Sequence, residues 1–348
     1  MELSQYYIDE IKARVANGTT LEDVTSLINF IINIQNETLG TTYRFISTKR
    51  LAYYFVHRDE RYLSFEIPKK SGGVRQITAP DPFLKKVQRR LNFILEVLFR
   101  PKAAAHGFVT GRSIVTNAKV HVGKNYVYNV DLKDFFPTIH YGRIKAVLQL
   151  NSFRMKPDFA HIIAHLCCYK GILPQGAPTS PIITNITCQQ LDKNLVDYAK
   201  LNSCYYTRYA DDITFSADKN VFKDKFHENL KLHLEAAGFK LNDKKTRKQK
   251  RTQRQEVTGI IVNEKLNLQR TYIKKIRAML YNWERDGLPA CQREFNKYYP
   301  LEKGFVKSRI LPPFENVLMG KILFLGMVRG KEDKYFMEFT SKYQSLKS

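Results

Sequence analysis

Two runs rich in aromatic and β-branched residues, Tyr205 to Arg208 and Ile213 to Ser216, are separated only by Tyr209, Ala210, Asp211 and Asp212. So short a spacer predicts a hairpin with both acids at its tip. This stretch constrains the fold more than any other, because adjacent carboxylates repel unless a cation or strong donors compensate. A further acid has a similar setting. From Tyr126 the chain alternates, with Tyr126, Tyr128 and Val130 predicted on one face of a strand and Val127, Asn129 and Asp131 on the other. Asp131 then stands at the strand's carboxyl end.

The remaining sequence can bury a large core: the chain has 348 residues, 43% of them hydrophobic. Lys and Arg number 57 against 33 acidic residues, a net charge of +24 that exceeds the needs of solubility and points to a polyanionic partner. Cys167, Cys168, Cys188, Cys204 and Cys291 form no ligand-spaced set and are expected to be buried thiols. The start, MELSQYYIDEIKARV, lacks the basic-then-apolar order of a signal peptide. The longest apolar run, near Ile28 to Ile34, is shorter than the roughly 20 residues that span a bilayer. A cytoplasmic protein with no membrane partner is expected.

Thr20, followed by Glu22 and Asp23, predicts a capped helix whose buried stripe runs through Val24, Leu27, Ile28, Ile31 and Ile32. Phe65 to Ile77 reads as two strands around a Gly-rich turn, and Phe83 to Leu98 as a helix introduced by Pro80 and Pro82. The Gly/Pro-bounded loop Ile172 to Pro181 leads into one long predicted helix, Ile182 to Ala199, with Ser180 as its cap. Leu230 to Ala237 completes another predicted amphipathic helix, stopped by Gly238. Lys240 to Arg254 carries eight basic residues and one acidic one, and a mostly helical end follows, striped by Tyr272, Ile273, Ile276, Met279 and Leu280.

Phosphodiester synthesis needs an activated hydroxyl, an in-line phosphate and relief of charge on the departing pyrophosphate. Two divalent cations about 3.5 to 4 Å apart supply all three if carboxylates from separate chain segments meet around them. Asp131, Asp211 and Asp212 meet that need if the two strands lie side by side. Two Mg²⁺ ions are expected, with Mn²⁺ an open alternative, since both are hard and oxygen-seeking. The sequence does not rank Asp211 against Asp212.

The run Tyr209-Ala210-Asp211-Asp212, with Asp131 in DLKDFFPTI and the loop LPQGAPTSP, resembles the reverse transcriptases, and among them the bacterial retron enzymes. Asn117-Ala118-Lys119-Val120-His121 is similar to their N-A-x-x-H element, and Val257-Thr258-Gly259 to their V-T-G element. The similarity covers roughly residues 50–260. It implies an α+β right-hand polymerase with fingers, a ferredoxin-like antiparallel palm and a helical thumb. The implied division is 1–45 an N-terminal helical extension, 46–125 fingers with a retron-type insertion, 126–260 palm with 145–180 contributing to the fingers, and 261–348 thumb.

Carried over residue by residue, the resemblance makes Asp131, Asp211 and Asp212 the catalytic metal ligands. Lys70 and Arg75 would grip the triphosphate, Lys69 rivalling Lys70. Phe136 would close against a ribose 2′-hydroxyl and so favour dNTPs, and Gln175 and Gly176 would lie against the incoming nucleotide and template. Lys245, with Lys244 as its neighbour, would stand near the leaving pyrophosphate. Asn117, His121, Val257, Thr258 and Gly259 would engage RNA and primer. Lys274, Lys275 and Arg277 are candidate phosphate contacts, and Tyr281 and Trp283 candidate base stacks.

The resemblance also implies synthesis of branched, RNA-linked single-stranded DNA (msDNA) from a cognate structured non-coding RNA, primed by a 2′-hydroxyl. A retron effector protein, RNase H activity supplied by the host and a role in antiviral defence are implied with it. Another reverse transcriptase lineage and a catalytically silent RNA-binding scaffold are the competing readings.

Overall fold

The computed structural model describes residues 3–69, 72–150, 153–303 and 311–347. Near its amino end, β1 (Tyr62–Pro68) and β2 (Val74–Pro80) pair antiparallel along their whole length, forming the predicted hairpin. Its outer part is exposed on both faces, so the hairpin projects from the body. The predicted helix after Thr20 is Leu21–Leu39, and Thr20 and Asp23 close a reciprocal capping box at its start. Pro82–Leu98 is the helix predicted from Phe83.

The body is built on an antiparallel sheet. Its strands are β3 (Tyr126–Lys133), β4 (Tyr205–Tyr209), β5 (Asp212–Ala217), β6 (Lys240–Leu241) and β7 (Arg247–Lys250). The order is β4-β5-β3-β6, with β7 also pairing β3. β6 and β7 thus share one edge of β3: Leu132 and Lys133 face Leu241 and Lys240, while Tyr126 to Asn129 face Lys250 to Arg247.

The alternation predicted for β3 separates two hydrophobic cores. Tyr128, Val130 and Leu132 join a large core shared with the amino-terminal helices and the helices packed on the sheet. Val127 turns the other way, into a second core with Ala118, Val257, Ile260 and the carboxyl-terminal helices. A small hairpin, β8 (Glu256–Val257) and β9 (Ile260–Ile261), leads into those helices: Arg270–Lys303, interrupted at Gly287, then Phe314–Arg329 and Lys334–Lys347. The short helix Ile114–Lys119 packs on β8 and β9, so a segment distant in sequence completes the second core. Among the described residues no helix is long and apolar enough to cross a membrane.

Two helix predictions need correction. The long helix expected from Ile182 is two, Ser180–Thr187 and Gln189–Leu201, jointed at Cys188. Ser180 does not cap it: the N-cap is Thr179, while the Ser180 hydroxyl donates to the Pro174 carbonyl at 2.6 Å and ties the preceding loop down. The helix that Leu230 to Ala237 completes before Gly238 begins at Asp224. All five cysteines are free and buried, as expected.

A buried ion pair fastens the second of the jointed helices to the sheet. Arg208 on β4 donates from Nε and Nη2 to the two carboxylate oxygens of Asp192, both at 2.7 Å, and Tyr206 donates to Asp192 Oδ1 at 2.7 Å. Neither charged side chain reaches solvent. Removing one partner of such a pair strands the other's charge in a low-dielectric interior. Asp192→Ala is expected to destabilise the protein by about 3–5 kcal/mol, read from the urea midpoint. A midpoint equal to wild type would show that the pair holds nothing.

Candidate active site

The ladder brings the sequence-distant acids together. Asp131 on β3 stands directly opposite Asp212 on β5, and the Leu132 N–H donates to the Asp211 carbonyl at 3.1 Å. The tip between β4 and β5 turns through Ala210, which adopts the left-handed region at φ 57°. A side chain pays a steric cost there, and the turn is held by a clamp: Arg208 Nη1 donates to the Ala210 carbonyl at 3.2 Å.

The third wall comes from the gap between β6 and β7. Here the chain leaves β3 in a tight turn, Asp243–Lys245. The Asn242 backbone N–H donates to the Asp131 carbonyl at 2.9 Å and its side-chain amide to Asp131 Oδ1 at 3.0 Å. Lys245 Nζ meets both Asp131 oxygens, at 3.0 and 2.9 Å. Of the alternatives Lys244 and Lys245, it is Lys245 that reaches the acid.

Burial and crowding leave their mark on the other two. Burial first, then the charge of Asp131, raises the Asp211 pKa above its ordinary value, while Lys245 and Arg75 oppose the rise. Asp212 is pushed up to about 6 by burial, by Asp211 and by Asp131. Asp212 is nonetheless an exposed residue on a cleft of about 530 Å³ lined also by Ile114, Asn129, Tyr209, Lys245, Arg247 and Gly259, so solvent in that cleft tempers the rise.

Asp131 and Asp212 line one cleft, Asp211 does not, and hard carboxylate oxygens of this kind are the donor chemistry that Mg²⁺ or Mn²⁺ takes. Among the described residues, however, no three acid, histidine or cysteine side chains are already gathered as a metal cage. The Asp131 carboxylate is instead engaged by Lys245 and Asn242. The residues fit divalent cations chemically, with Lys245 as the group to be released.

The other predicted residues divide. Arg75 stands exposed on β2, with its charge felt at Asp211. Lys70 lies outside the described residues. Gln175 accepts a hydrogen bond from the Thr78 N–H through its carbonyl at 2.9 Å, joining its loop to β2. Gly176 has φ 139°, and a Cβ there would sit 2.9 Å from Ile77 Cγ2 and from the Thr78 carbonyl oxygen. Close approach of β2 thus requires this glycine. Phe136 is half-buried beside Phe135 at the start of a short helix.

For the RNA-facing set the structure corrects several expectations. Asn117 and His121 are fully buried, so neither side chain is available to touch RNA. Both ring nitrogens of His121 are engaged, by Ser216 and Thr207 hydroxyls at 2.7 Å, which braces β4 and β5 from behind. Asn117 Nδ2 donates to Thr258 Oγ1 at 3.5 Å, and Val257 is buried. Thr258 and Gly259, in contrast, line the cleft.

Of the basic residues Lys274, Lys275 and Arg277, the first and last are exposed neighbours one turn apart and Lys275 lies round the helix from them. Lys274 is exposed, Lys275 lines a groove among the carboxyl-terminal helices, and Arg277 lies over the rings of Tyr335 and Phe339. Trp283 is buried in the second core against Phe314 and Tyr343, which excludes base stacking, whereas Tyr281 is exposed. Asn242, Arg247 and the Arg208–Asp192 support were not singled out from sequence. An arginine inside a strand predicted to be buried is the signal that could have found the last.

Residues 67–262 match the reverse transcriptase (RNA-dependent DNA polymerase) family. The chain belongs to that family, and its fold is the right-hand polymerase. Its relatives there include several retron reverse transcriptases, which places it in the bacterial retron branch. Retron Ec86 reverse transcriptase of Escherichia coli is 34% identical over 68% of this chain and 74% of its own length. The Mx65 and Mx162 retron reverse transcriptases of Myxococcus xanthus are 37% and 36% identical over 69% and 72% of this chain. The chain spans only 61% and 59% of the length of those two.

The crowding of Asp212 has a measurable consequence. Because folding raises its pKa from 3.8 to about 6, the folded protein binds a proton in that window that the unfolded chain does not. Stability is therefore lost as pH rises through the window. In metal-free buffer at about pH 8, Asp212→Asn is expected to stabilise the protein by ~1 kcal/mol after allowance for solvent screening, and by almost nothing below about pH 4. Thermal unfolding at the two pH values checks this, and a pH-independent difference would contradict it.

Proposed function

We propose that this chain is an RNA-directed DNA polymerase that copies a cognate structured non-coding RNA into branched, RNA-linked single-stranded DNA. Family membership supports the polymerase reading, and the pairing of Asp131 with Asp212 in one ladder is the observation that carries it. Likeness to retron enzymes supports the finer reading, in which a 2′-hydroxyl of the RNA primes synthesis. The partners that follow are that RNA, its DNA product, dNTPs, a retron effector protein and host RNase H.

In this reading Asp131, Asp211 and Asp212 would hold two Mg²⁺ ions, which would supply activation of the priming hydroxyl and charge neutralisation at the leaving pyrophosphate. Lys245 keeps Asp131 paired until that carboxylate is needed, and its amine then faces the pyrophosphate as a mobile point charge. Arg75, with Lys70, grips the triphosphate; Arg247 adds a second cation to the cleft wall. Phe136 excludes a ribose 2′-hydroxyl by volume. Gln175 and Gly176 join the projecting β1–β2 hairpin, which acts as fingers, to the sheet, which acts as palm. Thr258 and Gly259 meet the primer end, and Lys274 and Lys275 meet phosphates along the helical thumb. Asn117 and His121 serve RNA indirectly, by holding the Thr258 turn and the carboxylate hairpin.

The test is Mg²⁺-dependent extension on the RNA that co-purifies with the protein. Asp211→Asn and Asp212→Asn are each expected to lower extension by at least ~10²–10³-fold while RNA affinity stays near wild type. The product's start is expected to be a 2′-5′ branch. Undiminished extension by both variants would remove the assigned chemistry, and an unbranched product would remove the retron-type priming.

A further inference from the structure

Beside the carboxylate hairpin lies a loop whose backbone is fixed and whose one large side chain faces outward. Arg208 N–H donates to the Ala104 carbonyl and His106 N–H to the Arg208 carbonyl, both at 2.8 Å. Asn185 Nδ2 donates to the Gly107 carbonyl at 2.9 Å. A Cβ on Gly107 would lie 2.4 Å from the Ala210 backbone nitrogen, so the loop rests directly on the turn that carries Asp211. The next residue, Phe108, is held at φ 59° with 43% of its surface exposed. Its ring centroid is 6.5 Å from that of Tyr209, the planes inclined at 42°, and Tyr209 lines the cleft with Asp131 and Asp212.

Folding alone does not account for this residue. The left-handed region suits Gly or Asn and penalises a bulky side chain, and a ring left 43% exposed forgoes part of what burial would offer. A strained, outward-facing aromatic beside reacting groups is a feature that ligand binding can compensate. The cleft lined by its ring neighbour Tyr209 carries Lys245 and Arg247, cations suited to phosphates. What an aromatic face offers next to a phosphate-binding cleft is a surface for a nucleobase.

We propose that Phe108 is a base-stacking residue, which with Tyr209 forms an aromatic step for a base of the strand held next to the reacting end. This rests on the polymerase reading above. The anchored loop makes the step rigid relative to the carboxylates, so stacking fixes where the strand's end lies as well as how tightly it binds.

The test uses the full chain and an RNA template carrying an annealed primer, with 2-aminopurine placed in turn at the last positions of the primer and at the template positions opposite. Wild-type protein is expected to perturb the probe's fluorescence at one position. Phe108→Asn is expected to lose that signature and to weaken binding about tenfold, with a melting temperature at or above wild type because Asn accepts the backbone conformation. Phe108→Tyr is expected to restore both signature and affinity, whereas Phe108→Leu restores neither. The proposal is overturned if Phe108→Asn binds as wild type does, if Phe108→Leu matches wild type, or if Phe108→Asn loses stability in step with affinity, the mark of a packing residue. Wild-type protein that neither binds nor extends the primed RNA would instead overturn the polymerase reading, and this proposal with it.

Discussion

Three carboxylates on neighbouring strands repel one another, and much of the surrounding structure serves to keep them together. The ladder fixes Asp131 against Asp212, and its hydrogen bonds do not depend on the charge of either side chain. Behind the tip, the Arg208 clamp holds Ala210 in a conformation that the residue would otherwise avoid, and Asp192 holds Arg208. In front, Lys245 and Asn242 satisfy Asp131. What remains uncompensated falls on Asp211 and Asp212, whose raised pKa values register the unfavourable part of the arrangement. Cation binding relieves that repulsion, so the local instability and the proposed chemistry have one origin.

The two cores meet at this constraint. One face of β3 packs on the helical body while Val127 enters the second core. The short helix Ile114–Lys119 spans the join: its Ala118 belongs to the second core, Asn117 reaches Thr258, and His121 just beyond it holds Thr207 and Ser216. The turn that borders the cleft from the second core and the hairpin that carries the acids are therefore positioned by the same few residues.

Where the sequence was legible, the physics was local. Period-two alternation identified β3, a four-residue spacer identified the carboxylate hairpin, and Thr20 with Asp23 marked a helix start. The resemblance supplied the pairing of Asp131 with the distant hairpin, and the ladder agrees with it. Illegible features depended on tertiary neighbours. The joint at Cys188 interrupts an apolar pattern that reads as continuous, because each half packs on a different surface. His121 and Asn117, polar residues in a polar stretch, gave no sign of being enclosed, and Trp283 looked as available as Tyr281 until the second core was seen to cover it. Arg208 is explained only by what stands opposite it.

The central claim is that these aspartates hold two cations at one point, and Mn²⁺ electron paramagnetic resonance on the primed RNA complex with dNTP and a chain-terminated primer tests it most directly. The account predicts two Mn²⁺ ions close enough to broaden one another's signal through spin–spin coupling, with the coupling abolished in Asp131→Asn and in Asp212→Asn. A single uncoupled ion, or coupling that survives both substitutions, would contradict it.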